Sequence, residues 1–315
     1  MTLEKLKKSW KDPTFLAFVV LIVAWIGTML FIPGFNTWNH NMTFLKTAAY
    51  VGMIVIGQGI CIISGGIDLS VSNVVTLSSV VAAGCVKAGW GDGAAIVVAL
   101  LASVLVGTIN ATGITFLRIP PIIMPLAMLS LLEGGLLIAT DGTPPSGCGD
   151  VIKWLCKGKP LGVPNAVFVW IIFLVLALLL MNKSKFGRHI YAIGTNESAA
   201  KLNGVKVVVT KYMVYCLSSL CAGIGGLLIL GNMGSTYLTI GQQYQLMSIA
   251  AVVIGGISIQ GGKGKFTGII AGTMLMILLR DILNVLKMSN AGREIFQGVL
   301  ILAVLLAYGR EKKSN

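Results

Sequence analysis

The sequence predicts an all-α protein, a polytopic transmembrane bundle of about ten helices with both termini on the cytoplasmic side. Three observations carry that prediction. Residues of the AVILMFWYC set fill 56% of 315 positions and DEKR only 11%, against roughly 25% charge in a soluble domain. Uncharged apolar runs reach about 20 residues, the length a helix needs to cross the hydrocarbon core. The 39 glycines would weaken helices in water but permit close backbone approach in lipid.

The elements follow in order. Residues 1–13 are a basic cytoplasmic start, with Lys5, Lys7, Lys8 and Lys11 ahead of Asp12-Pro13. The uncharged run from Thr14 to about Pro33 exceeds the roughly 7–15 residues of a signal-peptide core and lacks a small-x-small cleavage site, so it reads as a retained first helix. Further spans are expected at about 43–64, 71–90, 94–117, 121–140, 165–182, 211–231, 246–260, 266–286 and 294–309. With that count, sixteen of the 24 Lys and Arg residues fall inside: at the start, at Arg118, within 182–211, around Lys263 and Lys265, and in the 310–315 tail. This asymmetry obeys the positive-inside rule and places a multi-pass chain, one transmembrane domain over 1–315, in the cell inner membrane. Its spans are in contact with membrane lipid.

The two long connections differ in chemistry. The outer one, 141–165, is rich in Gly and Pro and holds Cys148 and Cys156, where a disulfide could form in an oxidising compartment. Cys61, Cys85, Cys216 and Cys221 read as packing residues. The inner connection, 182–211, is basic. Within it Asn196 can cap a short helix that Gly204 ends. Lying flat on the cytoplasmic face, that helix would present Glu197, Ala199, Ala200 and Leu202 sideways. It is either a solvated loop that fixes topology or a surface that docks into a partner.

Several function classes are excluded. The net charge of +13 does not indicate nucleic acid, because the basic residues lie between apolar runs instead of forming a stripe with interleaved aromatics. There is no CxxC pair or His/Cys cluster, and His40 and His189 stand alone, so no metal site is expected. No GxxxxGK[ST] segment exists, so any ATP must be hydrolysed on another polypeptide. Neither histidine lies at membrane depth to serve a nucleophile, so the chain is not expected to be an enzyme.

Breaks and polar residues inside the spans are the functional candidates. Gly65-Gly66 interrupts the second span and frees backbone groups that must be buried in protein or line water. Asp68 and Ser70 can cap the helix that follows. Gly255-Gly256 and Gly261-Gly262 loosen the end of the eighth span. Glu133, Arg280 and Asp281 lie within spans. A charge at the bilayer centre costs about 2.5–3.5 kcal/mol on insertion scales, so each is expected to face the bundle interior. Glu133 could pair with Arg280 as a clamp or line a pathway. Gln58, Asn110 and Asn284 can hydrogen-bond between helices or border that pathway. Arg118-Ile-Pro-Pro121 and Pro125 mark the start of the fifth span.

Three separated motifs carry a resemblance. They are Gly65-Gly-Ile-Asp-Leu-Ser-Val-Ser72, Asn196-Glu-Ser-Ala-Ala-Lys-Leu-Asn-Gly204, and Ile249-Ala-Ala-Val-Val-Ile-Gly-Gly-Ile-Ser-Ile-Gln-Gly-Gly-Lys-Gly264. Over about residues 44–309 the chain resembles the permease subunits of ribose-type ABC importers, in the branched-chain amino acid/ribose permease family. In that family a Glu-x-Ala-Ala-x-x-x-Gly loop inserts a coupling helix into an ATP-binding subunit. The resemblance therefore implies a type II-like importer fold, with Gly194, Asn196, Glu197, Ala199, Ala200, Leu202 and Gly204 as the ATPase-coupling residues.

It also implies a second permease copy as a homodimer, an ATP-binding subunit that holds ATP and Mg, and a periplasmic or lipoprotein sugar-binding protein. No cofactor is implied in this chain. A ribose-like pentose is the first substrate expected, with a sugar-like signal such as autoinducer 2 behind it. Relatives typically carry Arg-Gly where this chain has Glu133-Gly134, and Thr-Leu where it has Met124-Pro125, both near the presumed path. An ion-coupled secondary transporter is the rival from another class. Glu133 and Asp281 are its support, and the coupling-loop motif opposes it.

Overall fold

The computed structural model describes residues 12–289, 291–293, 295–299 and 302, and its regular elements are all helices. The helices are α1 (Pro13–Phe31), α2 (Trp38–Ile63), α3 (Val71–Lys87), α4 (Asp92–Thr115), α5 (Ile123–Ala139), α6 (Asp150–Lys157), α7 (Asn165–Lys183), α8 (Lys185–Thr195), α9 (Glu197–Leu202), α10 (Val207–Met233), α11 (Tyr244–Ile254) and α12 (Gly268–Val285). Among the described residues, α1, α2, α4, α7, α10 and α12 are long and apolar enough to cross a membrane, and α3, α5 and α11 are shorter apolar helices. Nine of the expected spans are therefore helical. The tenth, 294–309, lies largely outside the described residues.

Helices α2 and α10 form the centre, buried along most of their length, and α10 packs on α2, α3 and α4. Small residues set that spacing. A methyl group on Gly107 of α4 would sit 2.5 Å from the Tyr215 carbonyl oxygen of α10, so the two helices meet backbone to backbone. Helices α1, α4, α5 and α7 turn large apolar side chains such as Ile22, Leu101, Leu131 and Ile172 outward, away from this chain's own core.

The eighth span departs from expectation. Helix α11 covers only Tyr244–Ile254, not 246–260. The segment before it is non-helical yet buried at Thr236 and Ile240, and runs against α3. There the Ser79 and Thr236 hydroxyls lie 3.0 Å apart, and the Gly241 amide donates to Thr76 Oγ1 at 3.2 Å. Irregular backbone is tolerated at this depth because protein groups satisfy it.

The outer connection contains α6, a helix that the Gly- and Pro-rich composition around it does not announce. Its Ile152 and Cys156 faces pack on the end of α10 at Gly231, and its Val151 amide donates to Asp92 Oδ2 at 2.6 Å. Cys148 and Cys156, between which the sequence leaves a disulfide open, are separate thiols here, each turned into apolar packing. Burial pushes the Cys156 thiol up to about 11, so it stays protonated and unreactive near neutral pH.

On the opposite face Asp12 caps α1 by accepting from the Thr14 amide at 3.1 Å and pairs with Lys265. The Thr14 hydroxyl donates to the Gly255 carbonyl at 3.3 Å. The start of the chain is thereby joined to the α11–α12 connection, the side assigned as cytoplasmic from charge.

Candidate functional site

The three sequence motifs meet on that cytoplasmic side. The end of α2, the end of α8 and the α11–α12 connection touch through glycine backbone. The Gly262 amide donates to the Ile63 carbonyl at 2.9 Å. A methyl group on Gly194 would lie 1.8 Å from that same carbonyl oxygen, and one on Gly261 would lie 2.8 Å from the Gly65 Cα. Gly65 and Gly261 also have φ of 86° and 83°, a left-handed backbone that glycine adopts without strain. Interdigitated backbone of this kind has no side chain that could rotate away, so displacement of α8 must displace the other two segments.

Helices α8 and α9 form a short cytoplasmic hairpin before α10. The Ser184 hydroxyl caps α8 by accepting from the Gly187 amide at 3.0 Å, and Gly187, Ile190 and Ile193 bury one face of it. Asn196 Oδ1 caps α9 by accepting from the Ala199 amide at 3.0 Å. Gly204 follows the last turn at φ 79°, with the Val205 amide closing onto the Ala200 carbonyl at 3.1 Å. Glu197 is held by Lys211 at 2.7 Å. Glu197 and Ala199 are exposed, and Leu202 is 89% exposed. Ala200 is buried, so it supports the helix from beneath and is not presented sideways as expected.

Behind the hairpin lies a buried polar junction. Asp68 is fully buried and accepts from the Ser70 amide at 3.1 Å, the Ser70 hydroxyl at 2.6 Å and the Ser218 hydroxyl at 2.8 Å. Asn110 extends the chain by donating to Ser70 Oγ at 2.9 Å. The expectation that Asp68 and Ser70 cap α3 is corrected: Ser70 occupies the cap position, but neither side chain reaches the helix amides. Three hydroxyl and amide donors satisfy the carboxylate more fully than an exposed cap would, and they join the α2–α3 turn to α4 and α10. Tyr215, buried in α10, also donates to the Pro121 carbonyl at 3.3 Å and fixes the Pro-Pro turn to the same junction.

The candidate path residues do not converge. Glu133 lies on the exposed side of α5, facing away from this chain's own bundle, which corrects the expectation of an interior position. Of the two readings of Glu133, the clamp to Arg280 does not form, since Arg280 bonds Gln243 Oε1 instead. Asp281 is half-buried near Arg280 and His40. Asn284 is exposed and accepts from Arg293. Gln58 is fully buried in α2 with neither amide atom hydrogen-bonded among the described residues.

Residues 41–305 match the family described as branched-chain amino acid transport system / permease component. The chain belongs to this family. Among its relatives, the ribose import permease protein RbsC of Escherichia coli is 32% identical over 311 residues, covering 97% of this chain and 96% of the relative. That of Bacillus subtilis is 34% identical over 291 residues, 92% and 89% of the two chains. The L-arabinose transport system permease protein AraH of Escherichia coli is 31% identical over 288 residues, 91% and 88% of the two chains. No solved structure matches.

The permease is thus a multi-pass membrane subunit of an ABC transport system, and it catalyses no covalent chemistry itself. Two parts of its site escape sequence reading. Helix α8 falls in the stretch that reads as a basic loop, although Phe186, Ile190 and Ile193 recur at helical spacing. The role of Ser218 in holding Asp68 leaves no sequence signal, because 150 residues separate them.

Proposed function

We propose that the permease imports a pentose, ribose first, and that α9 is the helix through which a separate ATPase drives it. The observation that carries this reading is the pairing of an exposed α9, with Leu202 89% exposed, with the backbone contacts at Gly194. A partner that grips α9 moves α8, and the Gly194 contact passes the motion to α2 and to the Gly261-Gly262 turn. The helices around the central bundle then rock between outward and inward access. ATP and Mg belong to that partner. A sugar-binding protein delivers the substrate outside. The names of the relatives, ribose import and L-arabinose transport, support a pentose.

A second copy of the chain completes the path. Glu133 on the outer side of α5 supports this, since a carboxylate facing lipid would cost about 2.5–3.5 kcal/mol near the bilayer centre. The Gly134-Gly135 pair beside it has open space around both positions. A neighbouring α5 could approach closely there, with Glu133 bordering an aqueous cavity.

The test is copurification of the solubilised permease, intact and with Glu197→Lys plus Gly204→Trp. An ATP-hydrolysing subunit should accompany the intact chain and be lost from the variant. Hydrolysis by the complex, supplied with its binding protein, should rise with ribose. If no ATPase accompanies the intact chain, the coupling assignment fails. Failure of any pentose to stimulate hydrolysis would remove the substrate assignment alone.

A further inference from the structure

Opposite the coupling site, at the outer end of the bundle, lies a cavity of about 220 Å³ lined by Met42, Thr43 and Lys46 of α2, Lys157 and Lys159, and Pro164. Three lysines line it, and none of them is paired with a carboxylate among the described residues. Lys46 is half-buried on a spanning helix, while Lys157 and Lys159 are exposed. Three like charges around one cavity repel one another, and only an anion placed among them reverses that sign.

The lysines stand on a fixed frame. Asn165 Nδ2 donates to the Trp154 carbonyl at 2.9 Å, and the Asn165 amide donates to the Gly158 carbonyl at 2.7 Å. These two bonds pin the turn that carries Lys157 and Lys159 against the start of α7. Cys156, buried beneath, anchors the same turn to the core. The backbone that carries Lys157 and Lys159 is therefore fixed before any anion arrives, which lowers the ordering cost of binding it.

Exposed side chains in the neighbouring segments point to the anion's source. Trp38 is 62% exposed, Trp154 is 60% exposed, and Leu161 is 94% exposed on a left-handed backbone with φ 57°. Two exposed tryptophans at the end of a spanning bundle mark the headgroup level of the bilayer, where indole rings sit. Leucine held outward in a disfavoured backbone conformation in the α6–α7 connection suits acyl or glycerol contact better than water. We infer that Lys46, Lys157 and Lys159 form a binding site for the phosphoryl headgroup of an acidic phospholipid in the outer leaflet. The inference does not depend on the substrate or on the ATPase.

The test uses the full-length permease, purified in detergent and depleted of lipid, with native mass spectrometry to read bound phosphatidylglycerol against phosphatidylcholine. Wild type should retain phosphatidylglycerol preferentially. Lys159→Gln should weaken that binding about fivefold, and Lys46→Gln/Lys157→Gln/Lys159→Gln on the order of a hundredfold, with phosphatidylcholine unchanged. Lys159 is exposed, so its single variant keeps the test decisive if the triple variant does not fold. Unchanged phosphatidylglycerol binding in Lys159→Gln, or in a folded triple variant, overturns the proposal. Inorganic phosphate binding as tightly as the lipid would assign the site to a free anion and overturn it too. If the variants lose capture of the binding protein while lipid binding stays intact, the surface is a protein contact and the lipid site is likewise refuted.

Discussion

At Gly194 the chain has no room for a methyl group, because any Cβ would meet the Ile63 carbonyl oxygen at 1.8 Å. The offending atom is backbone and cannot rotate aside, so the cost of alanine falls on the relative position of α2 and α8. Overpacking of this kind typically costs about 1–3 kcal/mol. Gly194→Ala is expected to lower the melting temperature of the purified permease and to cut transport at least tenfold. Gly89→Ala, in the α3–α4 connection, where open space surrounds a positive φ, should leave transport within about twofold and cost about 1 kcal/mol locally. Uptake by cells expressing each variant at equal level decides it; equal uptake by both would show that the glycine contact transmits nothing. Gly65-Gly66 is readable as a break from adjacent residues. That Gly194 and Gly261 sit on the same point is not, since their partners lie far off in sequence. The cap expected at Ser70 fails for the same reason: its nearest polar neighbours in space are Asp68 and Asn110, and the second is 40 residues away.

Among the elements, α9 shows how much local chemistry can say. Asn196 and Gly204 bracket seven residues, and the structure caps the helix at Asn196 and ends it at Leu202, two residues before Gly204. Capping depends on residues three or four apart, so sequence carries it in full. Replacing Asn196 with Ala should remove about 1 kcal/mol from a helix too short to stand without help. Copurification of the ATPase should fall several-fold in Asn196→Ala and return in Asn196→Asp. Lack of rescue by Asp would mean that Asn196 contacts the partner through its amide. The segment before α11 is the opposite case. Its Gly and Thr residues mark irregular chain, but only the Thr76 and Ser79 hydroxyls of α3 make that irregularity tolerable at membrane depth.

For the whole molecule, the exposed face of α5 is where the proposed assembly can be tested. Leu131, Glu133 and Leu137 all point away from the bundle, which a monomer in lipid would not favour at the carboxylate. A symmetric dimer brings two such faces together across one axis. Glu133→Cys should therefore crosslink to a covalent dimer on mild oxidation in membranes, while wild type, with its cysteines intact, should not. A monomeric product at Glu133→Cys, alongside crosslinking from a lipid-facing control such as Leu101→Cys, would place the interface elsewhere.

Sequence by itself determined the class, most of the spans and the capped helix of the 182–211 connection, and it assigns a side to each connection from charge. These follow from hydropathy, charge asymmetry and capping, all of which act within one or two turns of helix or against a uniform bilayer. Only the tertiary structure decided which glycines touch, that Asp68 is held by Ser70 and Ser218, that Glu133 turns outward, and that three lysines from separate segments share one cavity. Each of those depends on the rotation of a helix about its own axis. That angle is set by packing against helices distant in sequence, and no local pattern records it.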